Sequence, residues 1–234
     1  MFHPKGPTFR ELARQALSST TRGYDLLAPK FEYTPFRTPD ALLTPLGPLL
    51  GEVDDAVDLC CGTGAAMWVL KPRCRRQVTG VDLSQGMLDE AARQLAEVPG
   101  EAEVRLVRAD ILDLPFEEAF DVATCFGAFG HLLEPDQDRF AASLHRALRP
   151  GGRFLFVTGE MPRVWDPSLW AARAFNLAMH VRNALFDPPF IMFYLTFPLP
   201  RAREVLERHG FSLDVRSGLF PRYPTAKLVI ATKG

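Results

Sequence analysis

Residues 57–64, with the sequence VDLCCGTG, constrain the fold of this chain more than any other stretch. They describe a short apolar strand that runs into a glycine-bearing turn, after which Thr63 is predicted to begin a helix through AAMWVL. Gly62 and Gly64 have no Cβ, so their backbone accepts positive φ angles and lets a ligand approach closely. A helix N-terminus here would present unpaired N–H groups to an anionic or carboxylate-bearing ligand. The stretch therefore predicts a strand–turn–helix unit that binds a ligand at its turn.

The chain beyond this unit alternates predicted strands with predicted helices. Such alternation, with helices of ten or so residues, indicates βαβ crossovers and a mostly parallel sheet covered on both faces. The predicted strands are residues 56–60, 77–81, 104–109, 120–126 and 153–158.

The C-terminal end follows a different pattern. A helix at residues 199–209 is followed by strands at 211–217 and 227–232, whose link is too short for a crossover helix. We therefore expect these last two strands to pair antiparallel.

Two segments fall outside the alternation. Residues 1–50 form helical pieces broken by proline, predicted at residues 8–18, 24–28 and 39–50, and are expected to make an N-terminal helical cap. Residues 160–198 form a long insertion rich in Trp, Phe and Tyr after the fifth strand, beyond the edge where open α/β sheets bind ligands. We expect one domain over residues 1–234, with the cap and the insertion closing over the site.

Composition excludes several classes of function. With a net charge of -1, the chain has no overall positive field that would attract nucleic acid. The basic run KPRCRR at residues 71–76 is interpreted as a solvated helix end. The four cysteines form no CxxC pair, which favours free thiols in a reducing cytoplasm and no metal site. The N-terminus lacks a signal-peptide pattern, and the apolar run at 184–200 is too short and too rich in proline to span a bilayer.

Two cofactors compete for the glycine turn. A dinucleotide fingerprint, GxGxxG, requires a third glycine, and Met67 stands in that place. The alternative is a nucleoside that carries a methionyl group, whose ribose would bond to an acid at the end of the second strand. Asp82 follows Gly62 by 20 residues and suits either cofactor, so the missing glycine favours the second.

At this point the chain resembles a class I S-adenosylmethionine-dependent methyltransferase of the small-molecule type. Five blocks between residues 57 and 156 carry the resemblance in order, with Cys60 in the first glycine position of the first block. The resemblance implies a Rossmann-like, doubly wound α/β sheet of seven strands in the order 3-2-1-4-5-7-6, with one strand antiparallel. The blocks are VDLCCGTG, GVDLSQGML, RADILDLPF, FDVATCFGAFGHL and LRPGGRFLF.

The resemblance also implies a role for individual residues. Asp58, Gly62 and Gly64 would hold the methionyl end, and Asp82 would bond the ribose. The remaining implied contacts are Leu83, Met87, Asp110 and Ile111 around the adenine, Phe126 and Gly127 beside the sulfonium, and Tyr24 folding over the cofactor from the cap.

Several of these residues have a purely structural alternative. Asp58 and Asp82 could cap helices, Asp110 could cap the turn that follows it, and Met87 and Phe126 could belong to the core. His131 lies after the fourth strand near the expected acceptor and is a candidate general base, although packing alone would also explain it.

The predicted activity is methyl transfer from S-adenosylmethionine, leaving S-adenosylhomocysteine, to a small organic acceptor. The aromatic insertion suggests that the acceptor is apolar or aromatic. Two alternatives stay open. One is a lipid or quinone-type acceptor reached by docking the insertion on a membrane, and the other is a non-catalytic protein that binds S-adenosylmethionine.

The sequence DPPF at 187–190 resembles a motif of DNA amine methyltransferases. In those enzymes the motif follows the fourth strand, whereas here it follows the fifth, so we interpret it as a lid turn. Membrane contact is disfavoured, and a monomer and a homodimer are equally compatible with the sequence.

Overall fold

The central feature of the protein is a seven-stranded sheet, in the order β3-β2-β1-β4-β5-β7-β6. The computed structural model describes residues 3–234. Strands β1 to β5 pair in parallel, and β7 pairs antiparallel with both β5 and β6. The predicted order and the single reversed strand are confirmed. The strands are β1 (Val53–Leu59), β2 (Cys74–Asp82), β3 (Glu103–Arg108), β4 (Phe120–Cys125), β5 (Leu148–Gly159), β6 (Phe211–Arg216) and β7 (Ala226–Lys233).

Helices cover both faces of this sheet, because its central strands are apolar on both sides. Val57 and Leu59 of β1 face one hydrophobic cluster, whereas Ala56, which precedes Val57, faces the other. Successive side chains of a strand point to opposite faces, so one strand serves two cores. The helices are α1 (Phe9–Ala16), α2 (Thr20–Leu27), α3 (Asp40–Leu43), α4 (Gly47–Leu50), α5 (Met67–Leu70), α6 (Gln85–Leu95), α7 (Gln137–Ala147), α8 (Pro167–Leu185) and α9 (Leu199–Arg208).

Two of the predicted helices are wrong in extent. The helix expected to begin at Thr63 begins at Met67, and residues 62–66 form consecutive turns. With four residues, α5 is too short to provide the dipole and the exposed N–H groups that the sequence suggested for the ligand. The helix expected over residues 39–50 is broken into α3, a 3₁₀ turn and α4, because Pro45 and Pro48 have no N–H to donate.

The insertion after β5 consists of one long helix and an irregular return. Helix α8 is held by Arg182, which donates to the carbonyl oxygens of Ala16 at 2.8 Å and Ser18 at 3.1 Å, at the end of α1. The return segment packs Phe190, Phe193 and Phe197 into the protein. None of the helices within residues 3–234 combines the length and the hydropathy that a bilayer crossing requires.

Candidate active site

The turn after β1 is bent by two residues with left-handed backbones. Cys60 and Gly62 both have φ of 53°, although a cysteine rarely adopts this region. The Cys61 N–H donates to the Val81 carbonyl of β2 at 3.0 Å, which fastens the turn to the neighbouring strand. The turn therefore does not need glycine in its first position, where Cys60 stands.

Asp82, at the end of β2, organises the turn. Its Oδ2 accepts the Gly62 N–H at 2.9 Å, and its Oδ1 accepts the Ser84 N–H at 2.9 Å. Burial raises the pKa of this carboxyl, although the N–H donors oppose the shift. A carboxylate has about four acceptor positions, so Asp82 retains capacity for further hydroxyl donors.

A cavity opens at this edge of the sheet, with an empty volume of about 890 Å³ including its mouth. It is bounded by the turn after β1, the ends of β2 and β4, and the N-terminal segment, and its wall is mainly apolar. The predicted site residues that line it are Tyr24, Gly62, Asp82, Leu83, Met87, Ile111, Phe126, Gly127 and His131.

Asp58, Gly64 and Asp110 lie outside the cavity lining. Asp58 is buried behind the turn, where its Oδ1 accepts the Thr124 hydroxyl at 2.7 Å and burial raises its pKa to about 7. Asp110 caps the 3₁₀ turn that follows it, since its Oδ1 accepts the Leu112 N–H at 2.9 Å. The structural alternative considered for Asp110 is thus the arrangement observed.

Gly64 serves helix packing. A Cβ built on this residue would lie 3.2 Å from Cδ1 of Leu95 and 3.5 Å from Cβ of Ala91, both on α6. A Cβ built on Gly62 would instead have Cε1 of Phe31 as its nearest neighbour, at 4.0 Å across the cavity. Of the two glycines that the sequence assigned to one role, Gly62 therefore borders the cavity and Gly64 packs against α6.

The N-terminal segment is tied to the site by two carboxylates that sequence analysis missed. Asp25 accepts the Ser84 hydroxyl at 2.6 Å and the Gly86 N–H at 2.9 Å, at the start of α6. Glu32 accepts the Thr63 hydroxyl at 2.6 Å, within the glycine turn. No motif marks either acid, because both contacts join segments distant in sequence.

Tyr24 and His131 form a hydrogen-bonded pair in the lining of the cavity. The Tyr24 hydroxyl lies 2.9 Å from Nε2 of His131, and Nδ1 of His131 contacts the Ile191 carbonyl oxygen. A carbonyl oxygen can only accept, so Nδ1 carries the proton and Nε2 accepts from Tyr24. Burial lowers the pKa of His131 and raises that of Tyr24, so the imidazole is neutral and the phenol protonated near pH 7.

A second cavity adjoins the first, with an empty volume of about 1110 Å³ including open solvent at its mouth. Tyr24, Phe36, Gly127 and His131 line both cavities and form their common wall. The return segment of the insertion forms the far side. The aromatic residues that line this second cavity besides the shared ones are Phe129, Phe193, Tyr194 and Phe197.

Comparison with known proteins identifies the fold and a matching domain family within the chain. Residues 56–152 match the family described as "Methyltransferase domain". A solved S-adenosylmethionine-dependent methyltransferase from Clostridium acetobutylicum superposes with a TM-score of 0.57 at 18% identity, over 83% of this chain and 90% of that one. Residues 56–152 therefore match a methyltransferase domain, and the fold is that of solved S-adenosylmethionine-dependent methyltransferases.

Other similar proteins match the chain either in structure or in sequence over part of its length. An O-methyltransferase family protein from Burkholderia thailandensis has a TM-score of 0.63 at 19% identity, covering 95% of this chain and 62% of that one. The demethylmenaquinone methyltransferase of Lactobacillus johnsonii is 34% identical over 112 residues, 47% of this chain and 45% of the relative. That of a Staphylococcus aureus strain is 31% identical over 134 residues, 56% and 54% respectively. The chain thus spans about half the length of the curated relatives it matches.

The first cavity fits S-adenosylmethionine, the methyl donor of this family. Asp82 faces it with acceptor capacity for ribose hydroxyls, and Gly62 leaves room for close approach to the backbone. Leu83, Met87 and Ile111 provide apolar walls for a flat base.

Proposed function

We propose that this methyltransferase methylates a small, apolar acceptor with an aromatic ring that bears a hydroxyl, of the quinone type in its reduced form. The second cavity carries the proposal, because it meets the cofactor cavity at Tyr24 and His131 and is walled by aromatic side chains. The names of the two curated relatives, which refer to demethylmenaquinone, support a quinone-type acceptor.

The donor supplies a methyl group on a positively charged sulfur, which is already activated for transfer. The protein's contribution is therefore mainly alignment and exclusion of water. Gly62 and Asp82 would hold one side of the donor. Phe126 and Gly127 follow directly after β4, where Gly127 belongs to the wall shared by the cavities. An acceptor ring in the second cavity would approach the donor across this wall.

Tyr24 and His131 can take up the proton that the acceptor hydroxyl loses. The Tyr24 oxygen would accept this proton as its own proton passes to Nε2 of His131, which leaves a neutral phenol and an imidazolium. The Ile191 carbonyl keeps the imidazole in the tautomer that has Nε2 open. Deprotonation increases the electron density of the ring and its oxygen, which is what an incoming methyl group requires.

Release of S-adenosylhomocysteine from a panel of aromatic, isoprenoid and fatty acceptors tests the proposal. We expect turnover with hydroxylated aromatic acceptors and none with fatty acids. Turnover restricted to non-aromatic acceptors would contradict it. Calorimetric binding of S-adenosylmethionine in the same preparation separates an inactive acceptor panel from a protein that does not bind the donor at all.

The His131→Gln variant tests the base. We expect kcat to fall about 100-fold or more with acceptors whose hydroxyl has a pKa near 10, and much less with acceptors that are ionised at pH 7. Because burial lowers the pKa of His131, wild-type activity should stay level down to about pH 6.5 and fall only below it. His145→Gln, on α7 against Phe211, is the matched control and should leave kcat unchanged. An equal loss with both kinds of acceptor would assign His131 to packing.

A further inference from the structure

One side of α2 packs against the return segment of the insertion. Thr20, Gly23 and Tyr24 are spaced by three and four positions, so they lie on the same side of the helix. The Tyr24 ring stacks on that of Phe190, with the ring centroids 6.3 Å apart. A Cβ built on Gly23 would lie only 2.8 Å from Cε2 of Phe190. Glycine at this position therefore lets α2 approach the return segment closely enough for side-chain hydrogen bonds to its backbone.

The peptide group that joins Phe190 to Ile191 is held at both of its polar ends. The Ile191 N–H donates to the Thr20 hydroxyl oxygen at 2.7 Å. The Phe190 carbonyl oxygen accepts the Asn183 side-chain N–H at 3.1 Å. The N–H and the C=O of a trans peptide point in opposite directions, so side chains from α2 and α8 hold this peptide plane from its two edges.

The next carbonyl along the chain, that of Ile191, accepts the Nδ1 proton of His131. Beyond it, the Phe193 N–H donates to the Gly130 carbonyl at 2.8 Å, next to His131 in sequence. The backbone is thus fixed before the Ile191 carbonyl by Thr20 and after it by Gly130. The direction in which this carbonyl points depends on both attachments.

These contacts close a ring that begins and ends on α2. It runs from the Thr20 hydroxyl through the backbone of Ile191 to the His131 imidazole and back to the Tyr24 hydroxyl. A backbone N–H can only donate and a carbonyl can only accept. The Ile191 backbone therefore sets the direction of the hydrogen bonds on either side of it, including the proton on Nδ1 of His131.

We propose that Thr20 is a positioning residue, whose hydroxyl holds the Ile191 backbone where its carbonyl keeps His131 in the Nδ1–H tautomer. Thr20 also borders the donor cavity, so direct contact with the donor is the competing role. The effect of Thr20 on catalysis rests on the proposed function, whereas its effect on the tautomer does not.

Nitrogen-15 NMR of the imidazole groups tests the tautomer without donor or acceptor, above the pKa of His131. The His131 signals are those that disappear in His131→Gln. We expect only the Nδ1–H tautomer in wild type, both tautomers in Thr20→Val, and the wild-type spectrum in Thr20→Ser, because serine keeps the hydroxyl and valine does not. Thr44→Val is the matched control and should resemble wild type, because the Thr44 hydroxyl donates only to the Asp40 carbonyl within its own turn.

Asn183→Asp disturbs the same peptide from its other edge. An aspartate cannot donate to the Phe190 carbonyl, so this variant should also show both tautomers. It provides an independent test should Thr20→Val melt below the temperature of the measurement.

Kinetics and donor binding supply the remaining readouts. With acceptors whose hydroxyl has a pKa near 10, we expect Thr20→Val to lower kcat about 10-fold, which corresponds to about 1.4 kcal/mol, the value of one hydrogen bond. Thr20→Ser should recover most of this loss. Calorimetric affinity for S-adenosylmethionine should stay within about 3-fold of wild type in both variants, because a positioning residue makes no contact with the donor.

Three outcomes would overturn the proposal. They are a wild-type imidazole with its proton on Nε2, an unchanged tautomer in the folded Thr20→Val and Asn183→Asp variants, and a loss of donor affinity in Thr20→Val without a change of tautomer. A changed tautomer with unchanged kcat would support the positioning of His131 by Thr20 and contradict His131 as the base in the proposed function.

Discussion

Replacing Gly64 and Gly62 separately with alanine should separate the two roles that the structure gives these glycines. Gly64 has φ of 90°, and its added Cβ would meet Leu95 at 3.2 Å and Ala91 at 3.5 Å. An alanine with positive φ costs about 1–2 kcal/mol, and a methyl group forced into a packed interior adds about 1–3 kcal/mol. We therefore expect Gly64→Ala to lower the free energy of unfolding by about 2–5 kcal/mol.

Gly62→Ala should reduce ligand binding strongly and stability only through the strain of its backbone. Its φ of 53° is near the left-handed minimum and no atom lies closer than 4.0 Å to the added Cβ, so the backbone term of about 1–2 kcal/mol remains. The same methyl group would enter the cofactor cavity, where we expect it to weaken S-adenosylmethionine binding at least 10-fold.

The assay is urea unfolding of each variant, followed by calorimetric titration of the folded protein with S-adenosylmethionine. Gly218→Ala is the control for backbone strain, because Gly218 has φ of 77° and nothing within 4 Å of its added Cβ. Equal unfolding midpoints for the Gly62 and Gly64 variants would refute the packing role of Gly64. Wild-type affinity in the Gly62 variant would refute its place in the cofactor site.

Further predictions concern three acids of the site. Asp82→Asn leaves the N–H of Gly62 or of Ser84 without an acceptor. Calorimetry should therefore show S-adenosylmethionine binding that is about 10-fold weaker or more. Asp110→Asn is the comparison and should bind the donor as wild type does, because Asp110 only caps a turn. Unchanged affinity in Asp82→Asn would contradict this. The pKa of about 7 for Asp58 exceeds the usual 3.8, so the folded state holds a proton that the unfolded state releases, and stability should fall as pH rises from 4 to 7. Asp58→Asn cannot ionise, so urea unfolding at pH 8 should give it a free energy of unfolding about 2–4 kcal/mol above that of wild type, with a smaller gain at pH 5. A lower free energy of unfolding than wild type at pH 8 would show that the carboxylate is favourable there.

Local sequence patterns predicted the sheet well. The connections between apolar runs determine which strands are parallel. Two strands joined by a crossover helix pair in parallel, whereas two strands joined by a short link pair antiparallel. Asp82 and Gly62 could be placed in the site for the same reason, because the carboxyl ends of neighbouring parallel strands meet at one edge.

The same patterns could not show which distant segments a residue packs against. Gly64 and Asp58 belong to the glycine motif in sequence, but the neighbours that define their roles, Leu95 and Thr124, come from distant segments. The predicted start of α5, at Thr63, was wrong because turn residues and the residues of a first helical turn have similar composition.

By itself, then, the sequence determined the α/β sheet and the edge of the sheet at which the cavity opens, because these follow from local apolar periodicity and from glycine and acid at strand ends. Tertiary structure alone decided that Tyr24 pairs with His131 across 107 positions, and that Ile191 fixes the tautomer. It also decided which side of α8 faces solvent, because a helix with apolar residues on both faces gives no local signal of orientation. Both depend on contacts between segments far apart in the chain, which no local pattern encodes.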